Sequence, residues 1–490
     1  VNQKIRIYQL LPRTFTNTCS ANVYNGTLEQ NGSGKFCDFN DRLLSELQTF
    51  GITHIWLTGI IRHATSTDYS NFGLSPSHPD ILKGKAGSPY AIKDYYDLDP
   101  DLAVSVPDRM KEFSDLVDRI HQHGLKVLID FVPNHVSRDY HSQLNPGNHK
   151  NLGELDNHTI FFDPANNFYY LPGQPLNLGN FEENPAKATG NDVFNPSPGK
   201  DDWYETIKLN YGVNYTSGTS HFDPVPDTWL KMTDILMFWA SKGVNGFRCD
   251  MAGMVPVAFW TYAIRRVKNI YPDLIFIAEI YEPNRYRDFL EVGGFDYLYD
   301  KVGLYDTLRT IITDHSSTLN ISKVWRQLEG MDAYMLRFLE NHDEQRIASL
   351  FFAGDPWRGL PGMAVATLMN AGPVLIYAGQ ELGEKAEGAS GFSGDDGRTS
   401  IFDYTSMPSM RYWLNSLEKV ESSDGISQSQ LRQQYQELLS WSDNQVISNG
   451  AFYDLMWAND GRQERDKFYA FLRYLPVTPE TGETDNQTSG

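Results

Sequence analysis

From residue 5 to about residue 446 the chain alternates short apolar runs with amphipathic stretches. Residues 5–11 form the first run. Residues 38–50 then put Leu43, Leu44, Leu47 and Phe50 on one helical face, and Gly51 closes the element. Residues 52–57 are the next run. Pro107 opens a second helix with the apolar stripe Met110, Phe113, Val117 and Ile120, and Gly124 ends it. Residues 126–130 follow as a strand. The unit recurs as helix 229–241 with strand 244–250, and as helix 259–270 with strand 274–280. Further strands are predicted at 295–299, 334–339 and 373–378, and a last amphipathic helix carries Leu431, Tyr435, Leu438 and Leu439. Strands that are mostly followed by helices imply a parallel sheet, and eight of them predict a closed (β/α)8 barrel of the α/β class. A doubly wound open sheet is the alternative, although it usually has fewer strands.

Two stretches break the rhythm. Residues 136–225 are rich in Asn, Gly, Pro, Asp and aromatics and show no helical period. They are too long for an ordinary loop and read as an irregular domain inserted after the third strand. Beyond residue 447 the segments 452–457 and 467–474 look like antiparallel strands, followed by a frayed tail with Pro476, Pro479 and Gly482. The expected organisation is a barrel of residues 1–135 and 226–446, an inserted domain of 136–225, and a small C-terminal β-domain of 447–490.

Composition narrows the function. Asp and Glu number 62 against 42 Lys and Arg, a net charge of -20, which argues against nucleic acid or an anionic membrane surface as partner and suits a neutral ligand. No window resembles a membrane span. Three cysteines make no disulfide framework; Cys19 and Cys37 share a loop-like segment and can pair if the chain is exported, whereas Cys249 falls in an apolar strand. Because the chain begins at Val1, export followed by signal removal is expected over a cytoplasmic location, with a trimmed N-terminus as the other explanation.

In parallel barrels the chemistry lies at the C-terminal ends of the strands. Four of the predicted strands are apolar until their last residues and then turn polar: Asp130, Asn134 and His135; Arg248 and Asp250; Glu279; and Glu340, Asn341, His342 and Asp343, with Arg346 just beyond. One such ending can be a helix cap. Four in one barrel converge on one pocket. Buried carboxylates are costly unless used, so a purely structural role for Asp250, Glu279 and Asp343 is disfavoured. Two carboxyl groups about 5 Å apart cleave a glycosidic bond by double displacement, one attacking and one donating a proton. Arg248 lies two residues before Asp250, on the same side of the sheet, and is expected to hold Asp250 ionised. Glu279, with further carboxylates nearby, is expected to hold a proton. Asp343, His342 and His135 can hydrogen-bond sugar hydroxyls and stabilise a cationic transition state. Trp203 and Tyr204 are either sugar platforms or packing residues.

These segments resemble the conserved regions of glycoside hydrolase family 13, the α-amylase family. Residues 130–135 are similar to its first region, 246–250 to its second, Glu279 to its third and 341–343 to its fourth, in matching order, with the insertion at the place of the family's domain B. The resemblance implies Asp250 as nucleophile, Glu279 as general acid/base and Asp343 as transition-state stabiliser. It also implies Tyr90 as the tyrosine under the sugar at the cleavage subsite, and His135, Arg248, His342 and Arg346 as binders of that sugar or its neighbour. Ile207, Lys208, Leu209 and Asn210 resemble the fifth region in its neopullulanase and cyclomaltodextrinase form. The implied activity is retaining hydrolysis of α-1,4-glucosidic bonds in starch or malto-oligosaccharides, with a transglycosylase or isomerase of the same family as the alternative. A non-catalytic binding protein on an inactive barrel is disfavoured because all three carboxylates are present. No cofactor is required for the chemistry. Structural calcium is an open expectation: Asn134 matches one family ligand, while residues 208–210 lack the aspartate that helps hold the ion. Residues 251–254 lack the Lys-His of many α-amylases, Tyr281 stands where tryptophan is common, and with no room before residue 5 for the dimerising domain of neopullulanases a monomer is expected.

Overall fold

The computed structural model describes residues 3–147, 149–388, 391–418 and 425–476. Eight parallel strands organise it: β1 (Arg6–Leu10), β2 (His54–Leu57), β3 (Lys126–Phe131), β4 (Gly246–Cys249), β5 (Ile275–Ala278), β6 (Tyr297–Tyr299), β7 (Met335–Leu336) and β8 (Val374–Tyr377). Each of β1 to β7 pairs in parallel with the next strand around the ring up to β7, and β1 pairs with β8. Between β7 and β8 a single parallel bridge joins Arg337 to Val374, with Arg337 N–H donating to Pro373 O and Leu375 N–H to Arg337 O. That bridge closes the ring, so the chain forms the predicted (β/α)8 barrel and not the open sheet. Every residue of β1, β2, β4 and β8 is buried. This is why these strands read as continuous apolar runs: helices cover one face and the barrel interior the other.

The outer helices are α1 (Asp41–Thr49), α2 (Arg109–Gln122), α3 (Asp227–Ser241), α4 (Val257–Ile270), α5 (Asp306–Asp314), α6 (Leu319–Gln327), α7 (Leu360–Leu368), α8 (Pro408–Glu418) and α9 (Gly425–Ser440). The first starts later than predicted because Asn40 caps it, its side chain accepting from Leu43 N–H, while Phe36–Asp38 turns separately. The seventh strand is shorter than the predicted 334–339: Tyr334 ends the turn Asp332–Tyr334, and the chain bends at Leu339.

The stretch between β3 and α3 holds three short antiparallel ladders among the described residues, the first pairing His135–Ser137 with Thr206–Lys208. Its own apolar cluster is small, built on Leu171, Leu176 and Ala186. Polar ties hold the rest: Arg138 pairs with Glu183 at 2.7 Å and donates to Thr189 at 2.8 Å. At the other end Ala451–Asp454 pairs antiparallel with Phe471–Tyr474, as predicted, although the second strand begins later than residue 467. The predicted tail beyond residue 476 lies outside the described residues. Cys19 and Cys37 are free thiols, facing Gln30 O and Asp38 Oδ1 respectively, and Cys249 is buried in β4. Among the described residues no helix is long and apolar enough to cross a membrane.

Candidate active site

Sheet register assembles the site. Arg248 of β4 is opposite Asp130 of β3 on one side and Ile277 of β5 on the other, and Cys249 is opposite Ala278. One residue further along, Asp250 and Glu279 are therefore neighbours on adjacent strand ends, where strands lie about 4.8 Å apart. Asp250 N–H donates to Phe131 O and Glu279 N–H to Cys249 O, which fixes both backbones against the barrel.

One guanidinium joins three of the acids. Arg248 Nη1 is 2.8 Å from Asp250 Oδ1 and 3.2 Å from Asp130 Oδ1, and Nη2 is 2.9 Å from Glu279 Oε2. Nη2 makes no well-aligned hydrogen bond, so its tie to Glu279 is one of charge. Nε donates to the Tyr299 hydroxyl at 2.9 Å, and the guanidinium lies between the rings of Trp56, Tyr90 and Tyr299. Arg248 is 1% exposed, so the cation is shielded from bulk solvent and its ion pairs are little screened.

Glu279 accepts on both oxygens. Met251 N–H donates to Oε2 at 2.6 Å and the Tyr281 hydroxyl to Oε1 at 2.5 Å. Met251 can point its N–H there because it adopts a left-handed conformation, φ 43°. The expected effect of Arg248 on Asp250 is present but is outweighed. Burial and the Glu279 charge push the Asp250 carboxyl well above the usual carboxylate range, against the pull of Arg248. Two carboxylates this close do not ionise independently. Burial likewise raises Asp130 to about 6, against Arg248 and donors from Trp56 and Tyr90.

Tyr90 and His342 form the wall above these acids. Their rings stack at 5.3 Å, and the Tyr90 hydroxyl is 2.6 Å from His342 Nε2 and 3.3 Å from Asp130 Oδ1. Gln9 Nε2 lies 2.7 Å from His342 Nδ1; an amide nitrogen can only donate, so Nδ1 accepts and Nε2 carries the ring proton. Burial lowers His342 to about 3, so the ring is neutral at ordinary pH. Asp343 Oδ2 lies 3.2 Å from His342 Nε2, and its side chain, unlike those of Asp250 and Glu279, is half exposed. Asp343 is thus placed beside the ring that stacks on Tyr90.

Comparison with known proteins identifies the family. The family model for the alpha amylase catalytic domain matches residues 9–445. The chain belongs to the α-amylase family. It is 28% identical over 284 residues to an alpha-1,4-glucan:maltose-1-phosphate maltosyltransferase of Cereibacter sphaeroides, covering 54% of this chain and 39% of the relative. It is 24% identical over 406 residues to a cyclomaltodextrin glucanotransferase of Geobacillus stearothermophilus, covering 76% of this chain and 49% of the relative. The chain thus spans half or less of the length of these curated relatives. A cyclomaltodextrinase structure superposes with a TM-score of 0.61 at 19% identity, covering 92% of this chain and 65% of that one.

Within this α-amylase-family barrel, several expected residues stand further back than the carboxylates. His135 is buried, its ring 5.2 Å from that of Trp203 and its Nδ1 3.2 Å from the Asn134 amide nitrogen. Arg346 is a correction to the sugar-binding expectation. Its three nitrogens are taken by Thr399 at 2.9 Å, Glu340 at 2.9 Å and the Met407 sulfur at 3.3 Å, and it stacks on Tyr377. It is fully enclosed and braces the loop after β8, because a Glu340 buried beside it needs a counterion.

Asn134 is the second correction. Its Oδ1 accepts from Lys208 Nζ at 2.9 Å, and that ammonium also pairs with Asp192 at 2.6 Å. Asn134 Nδ2 donates to Gly190 O at 2.8 Å. A fixed ammonium therefore sits where Asn134 would present oxygen to calcium, and among the described residues no three His, Cys, Asp or Glu side chains converge on a metal position. Lys208→Met is expected to lower stability by about 1–3 kcal/mol, since two acceptors lose their shared donor. Urea unfolding measures this. A chelator should leave the midpoint of the unaltered protein unchanged; a fall would show a held metal.

Sequence reasoning missed Trp56, Tyr299 and Gln9 as site residues. Each left a signal: Gln9 is the one amide in its strand, Trp56 is next to last in its strand and Tyr299 is last in its own. A cavity of about 850 Å³ is lined by Leu82, Lys83, Tyr204, Phe392, Arg398 and Phe402. Arg398 links it to the site by donating to Asp343 O at 2.7 Å. A second cavity, about 750 Å³, lies at the opposite end, among strand starts such as Ile5, His54, Lys126 and Ile275, away from the carboxylates.

Proposed function

We propose that this protein is a retaining hydrolase of α-1,4-glucosidic bonds in starch or malto-oligosaccharides. The supporting observation is that Asp250 and Glu279 contact neighbouring nitrogens of one guanidinium. Groups held in that way stand close to the about 5 Å separation that double displacement needs, and too close to admit a water between them as inversion requires. In the first step an Asp250 oxygen bonds to the anomeric carbon as the glycosidic bond breaks, and Glu279 gives its proton to the departing oxygen. In the second, Glu279 takes a proton from water, the water oxygen bonds to the same carbon, and the Asp250 ester opens. For the first step Asp250 must be the ionised member of the pair. Asp343 faces the ring from the exposed side, where a carboxylate favours oxocarbenium charge. Tyr90 and the neutral His342 supply a ring face and a donor at the same subsite. The flanking 850 Å³ cavity, with Tyr204 and Phe392, gives further sugar units a place.

The alternative is transfer of the glycosyl unit to another sugar, since the two relatives are named a maltosyltransferase and a glucanotransferase. Both routes share the covalent intermediate and differ in the acceptor. Digestion of maltoheptaose followed by early proton NMR and product sizing separates the readings. Release of shorter sugars with α configuration is expected. Release of the β anomer would overturn retention, and products longer than maltoheptaose would overturn simple hydrolysis.

A further inference from the structure

We infer that Tyr281 is a positioning residue for Glu279, its hydroxyl serving as the one reversible hydrogen-bond partner of that carboxyl as it changes protonation state. This rests on the reading of Glu279 as acid/base. The argument is a count of donors. Oε2 faces Met251 N–H at 2.6 Å and Arg248 Nη2 at 2.9 Å, and Oε1 faces the Tyr281 hydroxyl at 2.5 Å. All three favour a carboxylate. Yet a group that gives up a proton in one step and takes one in the next must be accommodated in both forms. Met251 cannot turn, because its donor is backbone. Arg248 cannot turn either, since Asp250, Asp130 and Tyr299 hold its other nitrogens. Only a hydroxyl can rotate from donating to a carboxylate to accepting from a carboxylic acid. The tryptophan common in the family at this position offers a donor and no acceptor.

Among the groups that hydrogen-bond Glu279, the hydroxyl of Tyr281 is the one free to reverse its role. The charged and titratable groups facing Glu279 are Arg248, Asp250, Asp130, Tyr299 and His342, and Asp343 faces Tyr281 itself. Of these, His342 stays neutral and Arg248 stays charged, so neither follows the Glu279 proton. Tyr281 is partly buried and packs against the core, which keeps its hydroxyl directed at Oε1.

Tyr281→Phe keeps the ring and removes the hydroxyl. The alkaline limb of kcat/KM on maltoheptaose is expected to move up by about half to one pH unit, because the ionised form loses a donor. The rate near neutral pH is expected to fall about tenfold or more. With α-maltosyl fluoride, whose leaving group needs no proton, kcat/KM is expected to stay within about twofold. An unmoved limb, or an equal fall on both substrates, would overturn the inference and leave Tyr281 a packing residue. Should the phenylalanine variant not fold, 3-fluorotyrosine placed at 281 is a stronger donor and must move the limb down; no movement overturns the inference again. Glu279→Gln tests the underlying reading separately. It should lose maltoheptaose cleavage while still releasing a rapid first equivalent of fluoride from α-maltosyl fluoride, with slow turnover afterwards because the second step lacks its base, and full activity on maltoheptaose would remove Glu279 as acid/base whatever Tyr281 does.

Discussion

Asp250→Asn is expected to lower kcat on soluble starch by roughly four orders of magnitude or more, while the protein remains at least as stable as before. The two halves have different causes. An amide oxygen is a poor nucleophile, so the covalent route closes even though the side chain keeps its shape and place. Stability is spared because Asp250 is a carboxyl raised by burial and by Glu279. A carboxyl raised in the folded state costs stability once pH exceeds its unfolded value, and a neutral amide removes that cost. Arg248 keeps Asp130 and Glu279 as counterions. Starch assays and thermal unfolding at pH 7 measure both halves. Activity within tenfold of the unaltered protein would end the assignment of Asp250 as nucleophile. A large loss of stability alongside lost activity would make the residue structural.

Much of the barrel was legible because periodicity and strand endings report burial directly. β4 and β5 could be placed from 244–250 and 274–280 since apolar runs ending in Asp250 and Glu279 have no other economical place than a buried strand feeding a polar pocket. Helix α7 gave no such signal: six of its residues are buried, so it has no polar face and no visible period. Closure by the single Arg337 to Val374 bridge is a tertiary fact that no local pattern encodes. In the site, spacing was a good guide where residues share a strand or register, as for Arg248, Asp250 and Glu279. It was poor where a loop decides direction. Arg346 looks like a sugar binder beside Asp343, but Glu340 lies six residues before it and takes its guanidinium inward. Asn134 looks like a calcium ligand until Lys208, brought over by the ladder of His135–Ser137 with Thr206–Lys208, occupies its oxygen. The effect of Arg248 on Asp250 was legible from their spacing, but the opposing push of burial and of the Glu279 charge depends on neighbouring strands that the spacing does not report.

Arg248→Leu is expected to lower stability by about 3–5 kcal/mol at pH 7 and to abolish starch cleavage. Leucine fills part of the space among Trp56, Tyr90 and Tyr299 but leaves Asp130, Asp250 and Glu279 without their common counterion. The loss should depend on pH. Asp130 already titrates at about 6 in the folded protein, above the ordinary 3.8, so it favours the folded state below pH 4 and loses that contribution as pH rises through 6. Glu340, at about 7 against 4.5, adds a fall in the same direction and belongs to another ion pair, so it is common to both proteins. Removing Arg248 takes away the charge that pulls Asp130 and Asp250 down, and their folded values climb further. The difference between variant and parent should therefore be smallest near pH 4, where the carboxyls are neutral, and should widen toward pH 8. Urea unfolding across that range reads the widening. A gap that stays constant with pH would mean that the cost is lost packing over the aromatic rings, and that Arg248 is not the counterion on which the three acids depend.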